Sequence, residues 1–284
     1  MARGHGPEVR RRRLASELRR LREAAELTIG EVSDRLRCST SKVSRIETGH
    51  VGVRPQDVRA MLTLYGVGQR ESDELVQLAH EARTRGWWHS YSEVFTGSFV
   101  GLEADASSLR AFQALLVPGL LQTRRYAHAV IRAMRPHAPD AEIKRRVSAR
   151  MRRQRLLAEE SPPSYEAVMD EAVLHRVVGG RDVMTEQLLR LREAAALPHV
   201  TLRVVPFDAG AHSGMEGPFL ILGFPERADP DVVYVDSTTG GVCLEEPGEV
   251  ERYSVMFDHL RYHALGHEDS TRVLDKLSGA ARSR

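Results

Sequence analysis

Apolar positions in the first part of the chain recur at helical spacing. Leu14, Leu18, Leu21 and Ala25 give a first helix one apolar stripe, flanked by Arg10, Arg11, Arg12, Arg13, Arg19 and Arg20. Leu27-Thr28-Ile29-Gly30-Glu31-Val32 opens a second helix. Thr28 caps it, Glu31 completes a capping box, and Leu27 and Val32 stand at the ends of a hydrophobic staple. That helix ends near Leu36, and Arg37 and Cys38 form a tight connection. Ser39 caps a third helix, with Cys38 and Val43 placed for another staple. Val43 and Ile46 face inward, and Gly49 stops the helix. Pro55 suits the first turn of a fourth helix, whose apolar face is Val58, Met61, Leu62 and Tyr65. Leu75, Leu78, Ala79 and Ala82 mark a fifth.

Arg85-Gly86-Trp87-Trp88 interrupts this pattern and marks the expected domain boundary. The paired tryptophans read as core or interface packing before they read as a platform for stacked bases. Residues 100–116 and 123–134 are expected to be helices around Val117-Pro118-Gly119, and a third helix is expected over 140–160. The period then changes. Val200, Leu202, Val204 and Val205, residues 219–222 and residues 232–235 are short β-branched or apolar runs bounded by Pro, Gly and Asp, which predicts strands. Helices over 247–263 and 270–277 close the chain. The expected architecture is an all-α, five-helix head over residues 1–85 and an α/β (α+β) domain over 86–284.

Composition narrows the class. The 284 residues are 42% hydrophobic and 28% charged, as in a folded protein of two domains. No apolar run approaches the ~18–20 residues that span a bilayer. The opening MARGHGPEVRRRR is basic, but no apolar stretch follows it, so it does not read as a secretory signal. Cys38 and Cys243 are the only cysteines, which argues against a disulfide framework and for a cytoplasmic home. The net charge of +2 is unevenly spread. Residues 1–55 hold 13 basic and 7 acidic side chains, and the remainder holds 28 and 32. A basic head points to an anionic partner, with nucleic acid first, or else to a solvated basic tail.

Residues 28–49, TIGEVSDRLRCSTSKVSRIETG, separate these readings. They resemble the helix-turn-helix of lambda-repressor-like (Cro/cI, XRE) regulators, a likeness that covers about residues 10–67. A recognition helix must offer a polar N-terminal face to base edges while a few apolar residues dock it. Thr40, Ser41, Lys42, Ser44 and Arg45 form such a face above Val43 and Ile46. The resemblance implies binding to double-stranded DNA, and nucleoid association when bound. Thr28, Arg37 and Ser39 complete the candidate DNA-binding set. Lys42 and Arg45 are the best candidates for direct contact, either to guanine or to phosphate. Arg22 and Glu47 occupy positions that commonly form a structural ion pair between helices one and three in this family. Two positions depart from the family pattern. Arg37 stands where glycine usually turns the chain with positive φ, and Ile29 stands where glutamine often contacts a phosphate.

Residues 86–280 resemble the C-terminal region of the WhiJ-like group of actinobacterial XRE-type regulators. The likeness is carried by Val117-Pro118-Gly119-Leu120-Leu121-Gln122-Thr123-Arg124-Arg125-Tyr126-Ala127, Asp170-Glu171-Ala172-Val173-Leu174, Gly217-Pro218-Phe219 and Val233-Tyr234-Val235-Asp236. It implies a regulator of development or secondary metabolism. It also implies a small partner protein, as in an antitoxin and toxin pair, and it supplies no catalytic residues and no cofactor.

Candidate chemistry outside the head is sparse. Asp170, Glu171, Asp236, Glu245 and Glu246 lie near predicted strand ends, where paired carboxylates do acid–base work, but chance adjacency accounts for them as well. His259 and His263 have the spacing of two metal ligands on a helix, without a third, so no metal is expected. Gly210, Gly214 and Gly217 surround His212 and Ser213, which reads as a mobile hairpin loop or a lid. Residues 144–155 hold seven basic side chains, a solvated helix or a surface for DNA or an acidic partner. The leading reading is a sequence-specific transcriptional regulator that acts as a homodimer. Its larger domain serves dimerisation, partner binding or sensing of a small-molecule effector. An antitoxin-like adaptor holding a small acidic protein competes with it, and an enzyme with a DNA-binding appendage stands third.

Overall fold

The structure, a computed structural model, describes residues 6–84, 86–95, 97–226, 229–236 and 240–282. Arg85, at the expected boundary, and the first residues of the basic opening lie outside the described residues. The chain divides into two compact units, residues 3–105 and a larger one formed chiefly by residues 106–284.

The smaller unit is all-helical: α1 (Pro7–Ala24), α2 (Ile29–Arg35), α3 (Thr40–Glu47), α4 (Pro55–Leu64), α5 (Gln69–Glu81), a tight turn at Trp87–Tyr91, and α6 (Phe99–Asp105). One core joins the apolar stripes, with Leu14, Leu18, Val32, Val43, Val58 and Leu62 at its centre. Residues after the expected break belong to this unit for a physical reason. Gly6, the N-cap of α1, offers no side chain to the unpaired amides of the first turn. Asp105 supplies it, since Oδ2 accepts from the backbone N–H of Glu8 at 2.9 Å and of Val9 at 3.1 Å. Burial holds the Asp105 carboxyl up at about 6, against these two hydrogen bonds, which favour its charged form.

The larger unit runs β1 (Ser108–Gln113), α7 (Arg124–Met134), α8 (Asp140–Arg153), β2 (Ser164–Asp170), α9 (Ala172–His175), α10 (Arg181–Ala195), β3 (Val200–Val205), β4 (Phe219–Gly223), β5 (Val232–Val235), β6 (Val242–Leu244), α11 (Pro247–His263) and α12 (His267–Arg282). The six strands form one mixed sheet in the order β3-β2-β1-β4-β5-β6. β1, β2 and β3 are parallel, and β4, β5 and β6 follow antiparallel. Phe112, Val168, Val205, Phe219 and Ile221 pack with Phe257 and Leu260 of α11. The start of α12 covers the outer edge of β3, where Leu202 N–H donates to His267 Nδ1 at 3.2 Å and Val204 N–H to Ser270 Oγ at 3.0 Å. That leaves fewer open edge groups to pair with another chain. Among the described residues no helix is long and apolar enough to cross a membrane.

Three expectations are corrected here. The helix over 100–116 is α6 followed by β1. β1 lies inside the sheet with Leu109, Ala111 and Phe112 all buried, so its apolar residues do not alternate cleanly and the period is lost. The helix over 140–160 ends as α8 at Arg153 and continues as a tight turn over Gln154–Ala158. The glycine-rich stretch around His212 is no hairpin, because β3 and β4 are separated by β2 and β1. It is a crossover tied down by His212, whose Nε2 lies 3.1 Å from Asp170 Oδ2 and whose Nδ1 accepts from Gly214 N–H at 3.2 Å.

Candidate nucleic-acid interface

The starts of α2 and α3 are built by local hydrogen bonds. Thr28 Oγ1 accepts from Glu31 N–H at 3.2 Å, and the Glu31 carboxylate accepts from Thr28 N–H at 2.8 Å, closing the capping box. These bonds hold the Glu31 carboxyl below its ordinary range, the backbone bond contributing most. Ser39 Oγ accepts from Lys42 N–H at 3.2 Å and so starts α3. Between the helices Arg37 adopts φ 51°, the left-handed region that glycine enters freely. Glu26, before α2, adopts φ 56°, a second such position with no glycine to announce it. Ile29 turns inward and packs on the helical core.

From behind, α3 is held by its buried residues Val43, Ile46 and Glu47. Arg22 Nε donates to Glu47 Oε1 at 2.8 Å and Oε2 at 3.0 Å, and Arg22 Nη1 donates to Leu27 O at 2.7 Å. One guanidinium thus fixes α3 and the approach to α2 together. Burial, with Glu47 close by, pushes the Tyr65 hydroxyl up.

The outer face of α3 presents Thr40, Ser41, Lys42 and Arg45 to solvent, with Ser44 half-buried between them. Thr28, Arg37 and Ser39 are exposed as well. Arg37 lies in the α2–α3 turn, Ser39 caps α3, Thr40, Ser41, Lys42, Ser44 and Arg45 lie along α3, and Thr28 caps the far end of α2. Their cations are not equivalent. Lys42 Nζ donates to Asp57 Oδ2, in the first turn of α4, at 3.0 Å. The sequence holds no local signal of this contact, because the partners are on different helices. Much of the charge on α1 is also engaged, with Arg10 against Glu81, Arg19 against Glu23 and Arg20 against Glu17.

The other candidate groups do not converge. Asp170 ends β2 and Glu171 follows it, while Asp236 follows β5, and three strand spacings of about 4.8 Å, roughly 14 Å in all, separate those strands. Glu245 and Glu246 lie between β6 and α11. His212 has no ring nitrogen to spare. With Nδ1 accepting from Gly214, Nε2 carries the proton toward Asp170. The His259 and His263 rings stand 5.7 Å apart. Among the described residues no group of three His, Cys, Asp or Glu side chains is placed to hold a metal ion. The basic helix is more structural than its composition implies. Arg146 pairs with Glu142 at 2.8 Å and Arg150 Nη1 donates to Gln122 Oε1 at 2.7 Å; Lys144, Arg145 and Arg155 are exposed.

Gln122 belongs to a buried knot. Its Nε2 donates to Val117 O at 2.7 Å, while Gln187 Nε2 donates to Leu121 O and Gln187 Oε1 accepts from Thr123 N–H. The 117–123 motif is therefore an anchor of the larger unit.

Residues 13–75 match the family model of a helix-turn-helix domain, and residues 96–276 match that of a domain of unknown function, DUF5753. Neither a curated protein nor a solved structure matches the chain.

Proposed function

Since the chain belongs to the DUF5753 family and carries a helix-turn-helix head, we propose that it is a transcriptional regulator that reads operator DNA with α3, over about residues 39–48. Arg45 carries this reading. It is exposed on the outer face of α3 and, among the described residues, has no ion-pair partner, while the helix beneath it is pinned by Glu47 and Arg22. A guanidinium so placed donates two hydrogen bonds to the O6 and N7 edge of guanine. Thr40, Ser41 and Ser44 supply shorter polar groups to neighbouring bases and phosphates, and Arg37 and Ser39 supply backbone contacts at the turn. Membership of the WhiJ-like group is part of the same proposal, carried by the combination of the segments 117–127, 170–174, 217–219 and 233–236.

The regulator works as a homodimer, because two coupled half-sites raise affinity through effective concentration and a short recognition helix alone buries little surface. The larger unit holds the copies together. Sedimentation of the full chain at micromolar concentration is expected to give twice the monomer mass, and a monomer would remove this part of the reading. For DNA reading, the purified chain is mixed with fragmented genomic DNA and the retained fragments are sequenced. A shared motif with two-fold symmetry is expected. Retention without a common sequence contradicts the proposal.

A further inference from the structure

Lys42 lies at the start of α3, between the polar residues assigned to DNA, yet its ammonium is turned to a carboxylate of the same unit. Nζ and Asp57 Oδ2 are 3.0 Å apart, with the side chains 48% and 29% exposed. Asp57 sits in the first turn of α4, where a negative charge is also favoured by the helix dipole. Lys42 and Asp57 together present no net charge to DNA, whereas Arg45 and Arg37 are exposed and, among the described residues, have no ion-pair partner.

We propose that Asp57 is a specificity-determining residue that withholds Lys42 from the DNA backbone. The inference rests on the reading of α3 as the DNA-facing helix. Non-specific binding scales with the number of phosphates that free cations neutralise, each releasing counterions. A lysine already neutralised by its own carboxylate adds little to that number. The carboxylate also repels a phosphate brought to the same place. Asp57 thereby lowers the affinity of α3 for arbitrary sequence while leaving Arg45 free for a base edge. The pair is exposed, so it contributes little to stability, and its removal leaves the fold intact.

The test is binding of the full chain to a mixed-sequence duplex over a range of salt, for the wild type, Asp57→Asn, Lys42→Gln and the double variant. Asp57→Asn is expected to bind about fivefold more tightly at low salt, and its log–log salt slope is expected to steepen by about 0.9, the value for one further phosphate contact. Lys42→Gln in the Asp57→Asn background is expected to restore the wild-type slope. An Asp57→Asn protein with unchanged slope and affinity overturns the proposal. So does a gain that persists when Lys42 is absent, since Asp57 would then act only as a general negative charge. A wild-type chain with no affinity for the duplex even at low salt removes the DNA-facing reading of α3 itself, and the proposal with it.

Discussion

Arg22 and Glu47 are joined through both carboxylate oxygens, at 2.8 and 3.0 Å from the same Arg22 Nε, in a pair almost closed to solvent. The contact spans α1 and α3 and sets the rotation of α3 on its support. Removing one partner leaves a buried charge without compensation, which costs about 3–5 kcal/mol. Arg22→Ala is therefore expected to destabilise the smaller unit by that amount. Both tryptophans of the chain, Trp87 and Trp88, lie in that unit, so their fluorescence during urea unfolding reports it. An unchanged midpoint would show that the pair does not hold α3.

Arg37 keeps a left-handed conformation that a glycine adopts without strain. Arg37→Gly is expected to leave stability unchanged or raise it by up to about 1 kcal/mol. It is expected to weaken DNA binding and to flatten the salt slope by about 0.9, for the lost phosphate contact. The two changes run in opposite directions, which distinguishes a residue held for function from one held for the fold. Parallel losses of stability and affinity would count against the assignment.

Asp105 holds its proton more tightly in the folded chain than a free aspartate does, with a folded value of about 6 against 3.8. Its stabilising contribution is present below the lower value and is lost as pH rises through the upper one. The loss is of order 2–3 kcal/mol, set mainly by burial of the carboxylate. Burial also raises Glu8, nearby in the same cluster, and acts in the same direction. Asp105→Asn keeps an acceptor for the two amides of α1 and removes the ionisation. The variant is expected to lose less stability than the wild type between about pH 4 and about pH 7, measured by tryptophan fluorescence in urea. Identical pH dependence in the two proteins would show that Asp105 does not set it.

His212 ties the crossover between β3 and β4 to the end of β2. Replacement by alanine removes the acceptor of Gly214 N–H and the partner of Asp170, at a cost of about 1–3 kcal/mol. Amide exchange at Gly214 is expected to accelerate, with residues of β1 little affected. Unaltered exchange at Gly214 would mean that the crossover is held by other contacts.

The head was legible because its signals are local. Thr28 with Glu31, and Ser39 before α3, each act within one helical turn, and Val43 and Ile46 follow the helical period. The sheet was legible only in part. β3, β4 and β5 keep β-branched or apolar runs, whereas β1 carries Arg110 amid buried residues and has no clear alternation. Arg110 is accommodated by Asp231, 3.1 Å away and far along the chain. The 117–123 motif could be seen in the sequence, but its work depends on Gln187 and Arg150 from α10 and α8. Lys42 shows the same limit at the candidate site. Its place on the polar face follows from spacing, while its engagement by Asp57 follows from how α3 and α4 pack.

The most direct measurement compares wild type and Arg45→Ala on the sequence recovered from bound genomic fragments and on a mixed-sequence duplex of equal length. If α3 reads bases through Arg45, the variant loses about 1–3 kcal/mol on the recovered sequence, loses preference at one base position, and changes much less on the mixed duplex. Equal affinity of the two proteins for the recovered sequence would contradict the assignment of α3 as the reader.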